Sequence, residues 1–148
     1  MRTTIALILV ICSFYIVQGQ SNNNNNKNYN LLIGTYTTTS ESDGIYVYDF
    51  DSQTGNFKLK SKIAGVENPS YLAISHDGKH VYSVNEVRNG GISAFNFNPT
   101  TGELVFLNRV SSGGASPCYV SIDDKNKYVF AGNYGSGSLS AVPVKEDG

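Results

Sequence analysis

The segment Ser112 to Ile122, "SGGASPCYVSI", passes from a flexible polar stretch into a strand-like run, with Pro117 and Cys118 at the switch. Val66 to Ser75, "VENPSYLAIS", makes the same switch earlier, and Pro69 and Pro117 stand 48 residues apart. The residues after each switch also match. "HDGKHVYSVNE" (His76 to Glu86) parallels "DKNKYVFAGNY" (Asp124 to Tyr134), and "GGISAFNF" (Gly90 to Phe97) parallels "GSLSAVPV" (Gly137 to Val144). Upstream, "LLIGTY" (Leu31 to Tyr36) resembles "VYSVNE", and "GIYVYDFDSQTGNFKLKS" (Gly44 to Ser61) parallels "GISAFNFNPTTGELVFLN" (Gly91 to Asn108). A period of this size, built from short alternating segments, marks a β-propeller blade.

Period-2 alternation and turn residues place the strands. In the middle unit they run Tyr71 to Ser75, His80 to Asn85, Gly91 to Asn98 and Leu104 to Ser111. His76-Asp77-Gly78 and Pro99-Thr100-Thr101-Gly102 supply the turn signals. The opening unit lacks a first strand and the third lacks a fourth. Fewer than three blades cannot close a ring whose small forms have about four. The chain is therefore expected to be the N-terminal part of a longer all-β protein, residues 31–148 covering roughly its first two and a half blades.

Composition agrees with this class. Tyr, Val and Gly abound, Trp is absent, and Lys+Arg 11 against Asp+Glu 12 leaves a net charge of −1. Without a basic patch, nucleic acid is not an expected partner. No metal-ligand cluster and no nucleophile-plus-base set is visible, so neither metal nor cofactor is expected.

The N-terminus is organised differently. Arg2 precedes the apolar run Ile5 to Val17, "IALILVICSFYIV", which has the length of a signal-peptide core and is short for a membrane span. Cleavage is expected after Gly19, giving an exported protein, periplasmic or extracellular, with no membrane attachment afterwards. Residues 20–30, rich in Asn, read as a flexible spacer. Cys12 leaves with the signal, so Cys118 has no internal partner and reads as a small buried apolar residue at a strand start.

Antiparallel pairing puts the start of each first strand and the end of each second strand at one end of a blade. That end gathers Asn68-Pro69-Ser70, Ser116 to Tyr119, Thr35-Tyr36, Asn85-Glu86 and Asn133-Tyr134. Polar and aromatic groups around one carboxylate suit a small polar ligand in a central funnel. Glu86 is placed to orient water or to accept a sugar hydroxyl, or else is a solvated loop acid. His76 and His80 fall at the opposite end and read as turn residues. Asn133 to Gly137 is glycine-rich but opens no helix, so it is a strand connection and not a phosphate loop.

Together, "NPSYLAISHDGKHVYSVNE", "GGISAFNFNPTTGELVFLNRVSSGGASPCYVSID" and "YVFAGNYGSGSLSAVPVKEDG" resemble the lactonase family of seven-bladed propellers, which includes the propeller-type 6-phosphogluconolactonases and is related to carboxymuconate cyclases. The resemblance covers Leu31 to Gly148. It implies hydrolysis of a sugar δ-lactone to the open-chain aldonic acid, by a complete ring acting as a monomer. It also implies that the catalytic residues lie beyond Gly148, so this chain alone is expected to be inactive. The positions carried over are the funnel lining: Asn85, Glu86, Cys118, Tyr119, Asn133 and Tyr134. Two other readings stay open: a non-catalytic exported propeller that binds a glycan or protein, since one fold hosts many functions, and a cyclase-type member acting on unsaturated acids. Export also leaves open whether the substrate carries phosphate.

Overall fold

The computed structural model describes residues 28–148. The expected signal peptide (1–19) and residues 20–27 of the expected spacer lie outside the described residues. Among the described residues, ten strands form three antiparallel sheets. The first sheet holds β1 (Asn28–Gly34), β2 (Gly44–Asp51) and β3 (Phe57–Ala64). The second holds β4 (Leu72–Ile74), β5 (His80–Asn85), β6 (Gly91–Phe97) and β7 (Leu104–Ser111). The third holds β8 (Pro117–Ile122), β9 (Tyr128–Asn133) and β10 (Ser138–Pro143). Strand order within each sheet follows the chain, so each is a meander. No helix among the described residues is long and apolar enough to cross a membrane.

The repeat recurs at the level of single hydrogen bonds. Asp51 Oδ1 accepts from the amides of Gln53 and Thr54, and Asn98 Oδ1 accepts from those of Thr100 and Thr101. Gly55 and Gly102 close the two turns at φ 75° and 76°, a conformation that costs glycine little. At the other turn, Ser75 Oγ accepts from the His80 amide at 2.9 Å and Asp123 Oδ1 from the Tyr128 amide at 2.7 Å. The same one-residue register shift falls between Val47 and Tyr48 in β2 and between Ala94 and Phe95 in β6.

Two apolar cores fill the seams. Ile45 and Val47 of the first sheet meet Val81, Phe95, Phe97 and Leu104 of the second. On the other side, Tyr82, Val84, Ile92 and Ala94 meet Val120, Val129 and Ala131 of the third. Alternation along β5 and β6 sends successive residues to opposite seams, so both faces of the middle sheet are buried.

Three strands differ in their bounds from expectation, the least of them β6, which ends at Phe97, one residue before the expected Asn98. β1 begins at Asn28, so the last three residues read as spacer are strand, paired with Asp49, Phe50 and Asp51. The first strand of the middle unit is only Leu72–Ile74; the Ser75 amide instead donates to the His80 carbonyl to close the turn.

Candidate functional site

The polar residues gather at the end of the sheets where β4 and β8 begin and β5 and β9 end. β8 packs beside β4 and β5, so the inner strands of the two sheets are neighbours. Three equivalent positions come after the second strands: Tyr36, Glu86 and Tyr134. The Glu86 amide donates to the Asn68 carbonyl at 3.0 Å, and the Tyr134 amide donates to the Ser116 carbonyl at 3.0 Å. The geometry is a repeat, and the middle sheet places a carboxylate where its neighbours place tyrosines.

Glu86 is half-buried and is the centre of the cluster. Its Oε2 accepts from the Tyr36 hydroxyl of the first sheet at 2.8 Å and from Ser70 Oγ of its own sheet. The Glu86 carboxylate raises the Tyr36 phenol above its ordinary value, chiefly through this hydrogen bond, with burial adding in the same direction. Tyr36 is therefore a neutral donor at physiological pH. Tyr71 and Tyr119, one residue beyond Ser70 and Cys118, set their rings 4.9 Å apart at 47°.

Asn68 holds this arrangement. It is buried, and its φ of 41° is in the left-handed region. Its Oδ1 accepts from the Thr37 and Thr38 amides, both at 2.9 Å, and its Nδ2 donates to the Glu86 carbonyl at 3.1 Å. One side chain thus ties the first sheet to the backbone that carries Glu86. Gly34 permits the approach: a Cβ there would lie 1.8 Å from the Pro69 carbonyl oxygen.

The expected lining divides into two sets. Tyr119 and Tyr134 are exposed, at 49% and 83%, and Cys118 is exposed as well, against the expectation of a buried thiol. A register shift between Pro117 and Tyr119 turns Cys118 out of the pairing, with its Sγ 3.9 Å from the Gly132 carbonyl. Asn85 and Asn133 are buried and held by internal hydrogen bonds, and Asn85 borders a separate cleft with Glu67, Ser93 and Arg109. Asn85 donates to the Glu67 carbonyl and accepts from Ser93 Oγ and Arg109 Nε. Asn133 donates to the Ser112 carbonyl and to Ser138 and Ser140 Oγ. Each amide satisfies the carbonyl of a loop that has left its ladder. Tyr36, Ser70 and Tyr71 join the site in their place.

His76 and His80 lie at the opposite hairpin, where the His76 imidazole is 3.8 Å from Asp124. A cleft between the second and third sheets is walled by Tyr82, Ile92, Ala94, Val129 and Val142, with Lys145 and Asp147 also on its lining. No group of His, Cys, Asp and Glu among the described residues is arranged to hold a metal ion.

A four-stranded meander flanked by two three-stranded meanders of the same repeat, with neighbouring inner strands, is the arrangement of β-propeller blades. The chain belongs to the family described as Lactonase, 7-bladed beta-propeller, which matches residues 30–148. The 6-phosphogluconolactonase of Bacillus subtilis (strain 168) is 40% identical over 92 residues, covering 62% of this chain and 26% of that protein. The 6-phosphogluconolactonase of Formosa agariphila is 34% identical over 101 residues, 66% of this chain and 29% of that protein. The periplasmic gluconolactonase of Pseudomonas aeruginosa superposes with a TM-score of 0.75 at 35% identity, over 82% of this chain and 36% of that one. The chain thus spans between a quarter and a third of the length of these curated relatives.

Proposed function

We propose that the seven-bladed protein to which these sheets belong hydrolyses a sugar δ-lactone. Water adds to the ring carbonyl, the ring C–O ester bond breaks, and the open-chain aldonic acid is released. The observation that carries this reading is the family match over 30–148, together with relatives named for lactone hydrolysis at 34% and 40% identity. In this reading Glu86, Tyr36, Ser70, Tyr71 and Tyr119 form part of the funnel wall. The base that activates water and the donors for the developing oxyanion come from other blades.

The same proposal makes the protein an exported one. The apolar run Ile5 to Val17 supports this, and a periplasmic gluconolactonase stands among its structural neighbours. The deciding assay follows proton release from D-glucono-1,5-lactone and from its 6-phosphate with the intact protein. Hydrolysis of either well above the spontaneous rate is the expected result; no acceleration of either overturns the reading. The N-terminus of the secreted protein is expected at Gln20.

A further inference from the structure

We propose that Glu86 recognises the hydroxyl edge of the substrate ring, so that any phosphate on the substrate is held away from this part of the funnel. The proposal deepens the lactone reading and rests on it for the identity of the ring.

Its basis is the asymmetry of one carboxylate. Oε2 of Glu86 is taken by two hydroxyl donors, Tyr36 from the neighbouring sheet and Ser70 from its own. No donor among the described residues bonds Oε1. The backbone is clamped at both ends of the residue, with the Glu86 amide on the Asn68 carbonyl and the Asn68 Nδ2 on the Glu86 carbonyl. The carboxylate is therefore held in one orientation with one oxygen uncommitted.

Its charge is also uncompensated. The ion pairs among the described residues are Lys60–Asp49, Lys62–Asp43, His76–Asp124 and Arg109–Glu67, and none includes Glu86. Hydroxyl donors stabilise the anion without neutralising it. A fixed anionic oxygen accepts strongly from hydroxyl groups and repels a phosphate. The tilted pair Tyr71 and Tyr119 stands one residue from Ser70 and from Cys118 and offers aromatic surface for the C–H face of a saturated ring. Acceptor and aromatic wall together match a polyhydroxylated ring better than an anionic group or a purely apolar ligand.

Tyr36 and Ser70 are positioning residues in this scheme, because they act on the ring only through Glu86. The neutral state of the Tyr36 phenol, secured by the carboxylate beside it, keeps it a donor.

The test uses the intact protein and its Glu86→Ala, Glu86→Gln and Tyr36→Phe variants. Glu86→Ala is expected to raise KM for D-glucono-1,5-lactone about tenfold, the worth of one charge-assisted hydrogen bond, with kcat within about threefold. The 6-phosphate is expected to lose by the same factor. Tyr36→Phe is expected to give a smaller rise of the same kind, and Glu86→Gln an intermediate one. Unchanged melting temperatures separate these effects from misfolding. A second readout does not need turnover: saturation-transfer NMR with D-glucitol, a polyol that cannot be hydrolysed, is expected to show binding to wild type and loss in Glu86→Ala.

A KM within twofold of wild type in Glu86→Ala, with the D-glucitol signal retained, overturns the proposal while the lactonase reading stands. Relief of the KM for the 6-phosphate alone overturns it too, by placing phosphate at Glu86. D-glucitol binding that depends on Glu86, in a wild-type protein that hydrolyses neither lactone, leaves hydroxyl recognition standing and removes the lactonase reading. Absence of both signals in wild type removes both.

Discussion

The middle sheet and its two neighbours are built from the same repeat, yet they live in different surroundings. In β5 and β6 nearly every residue is buried, because the first sheet covers one face and the third sheet the other. In the flanking sheets burial is sparser: β9 buries alternate residues, and β1, β3 and β10 bury none fully. Phe57 and Leu59 on the outward face of the first sheet are 64% and 48% exposed, and Leu139 on that of the third is 75% exposed. A blade is thus an element with two apolar faces, and neighbours decide whether both contribute to stability. The middle sheet uses the repeat on both faces, and the flanks use it on one.

Replacing the largest fully buried side chain should break the comparison most severely. Phe95 is fully buried in the seam between the first and second sheets, with its ring 5.8 Å from that of Phe106. Phe95→Ala is expected to cost about 3–5 kcal/mol by denaturant unfolding, from lost transfer energy and the cavity left behind. A cost near 1 kcal/mol would mean that the seam collapses around the cavity, as a loosely packed interface does.

The two equivalent asparagines give a finer contrast. Asn85 ends β5 in the covered sheet and joins the Glu67 carbonyl, Ser93 and Arg109. Asn133 ends β9 in the flanking sheet and uses only its Nδ2 among the described residues. Asn85→Ala removes the partner of the part-buried Glu67 carbonyl and of the buried Ser93 hydroxyl and is expected to cost about 2 kcal/mol. Asn133→Ala is expected to cost about 1 kcal/mol. Equal costs would show that the hydrogen bond to the loop carbonyl, common to both, dominates, and that Ser93 and Arg109 add nothing.

These asparagines also mark where the sequence stops being legible. The fold is readable because a blade repeats itself: β5 and β7 begin and end where alternation and turn residues place them. Glu86, Cys118, Tyr119 and Tyr134 lie at the predicted end because antiparallel pairing leaves no other place for them. Whether a polar side chain at a strand end faces a ligand or a stranded carbonyl is a matter of packing, and packing draws Asn85 and Asn133 inward. Arg109, a partner of Asn85, lies 24 residues away with no local signal. The start of β1 is hidden by its Asn content, since Asn is depleted in strands. Its Asn30 is held there by distant groups, donating to the Pro99 carbonyl and accepting from Lys60. The link from Tyr36 to Glu86 spans 50 residues and two sheets, so it appears only once the sheets are stacked.

The smallest effect is expected on a bare face, and it sharpens the comparison most. Leu139 in β10 pairs with Gly132 in β9 and projects from the third sheet with little around it. In the 148-residue chain by itself, Leu139→Ala is expected to change stability by less than about 0.5 kcal/mol, as for other exposed sites. In the intact seven-bladed protein, another sheet is expected on that face, and the same substitution should cost about 2–3 kcal/mol. The two unfolding measurements together read out whether a face is covered, one residue at a time. A large cost in the 148-residue chain would mean that a second copy covers the face, and sedimentation would then show an oligomer. A small cost in both would mean that Leu139 stays in solvent even in the closed ring, and that the two-faced blade is a property of the middle sheet rather than of the repeat.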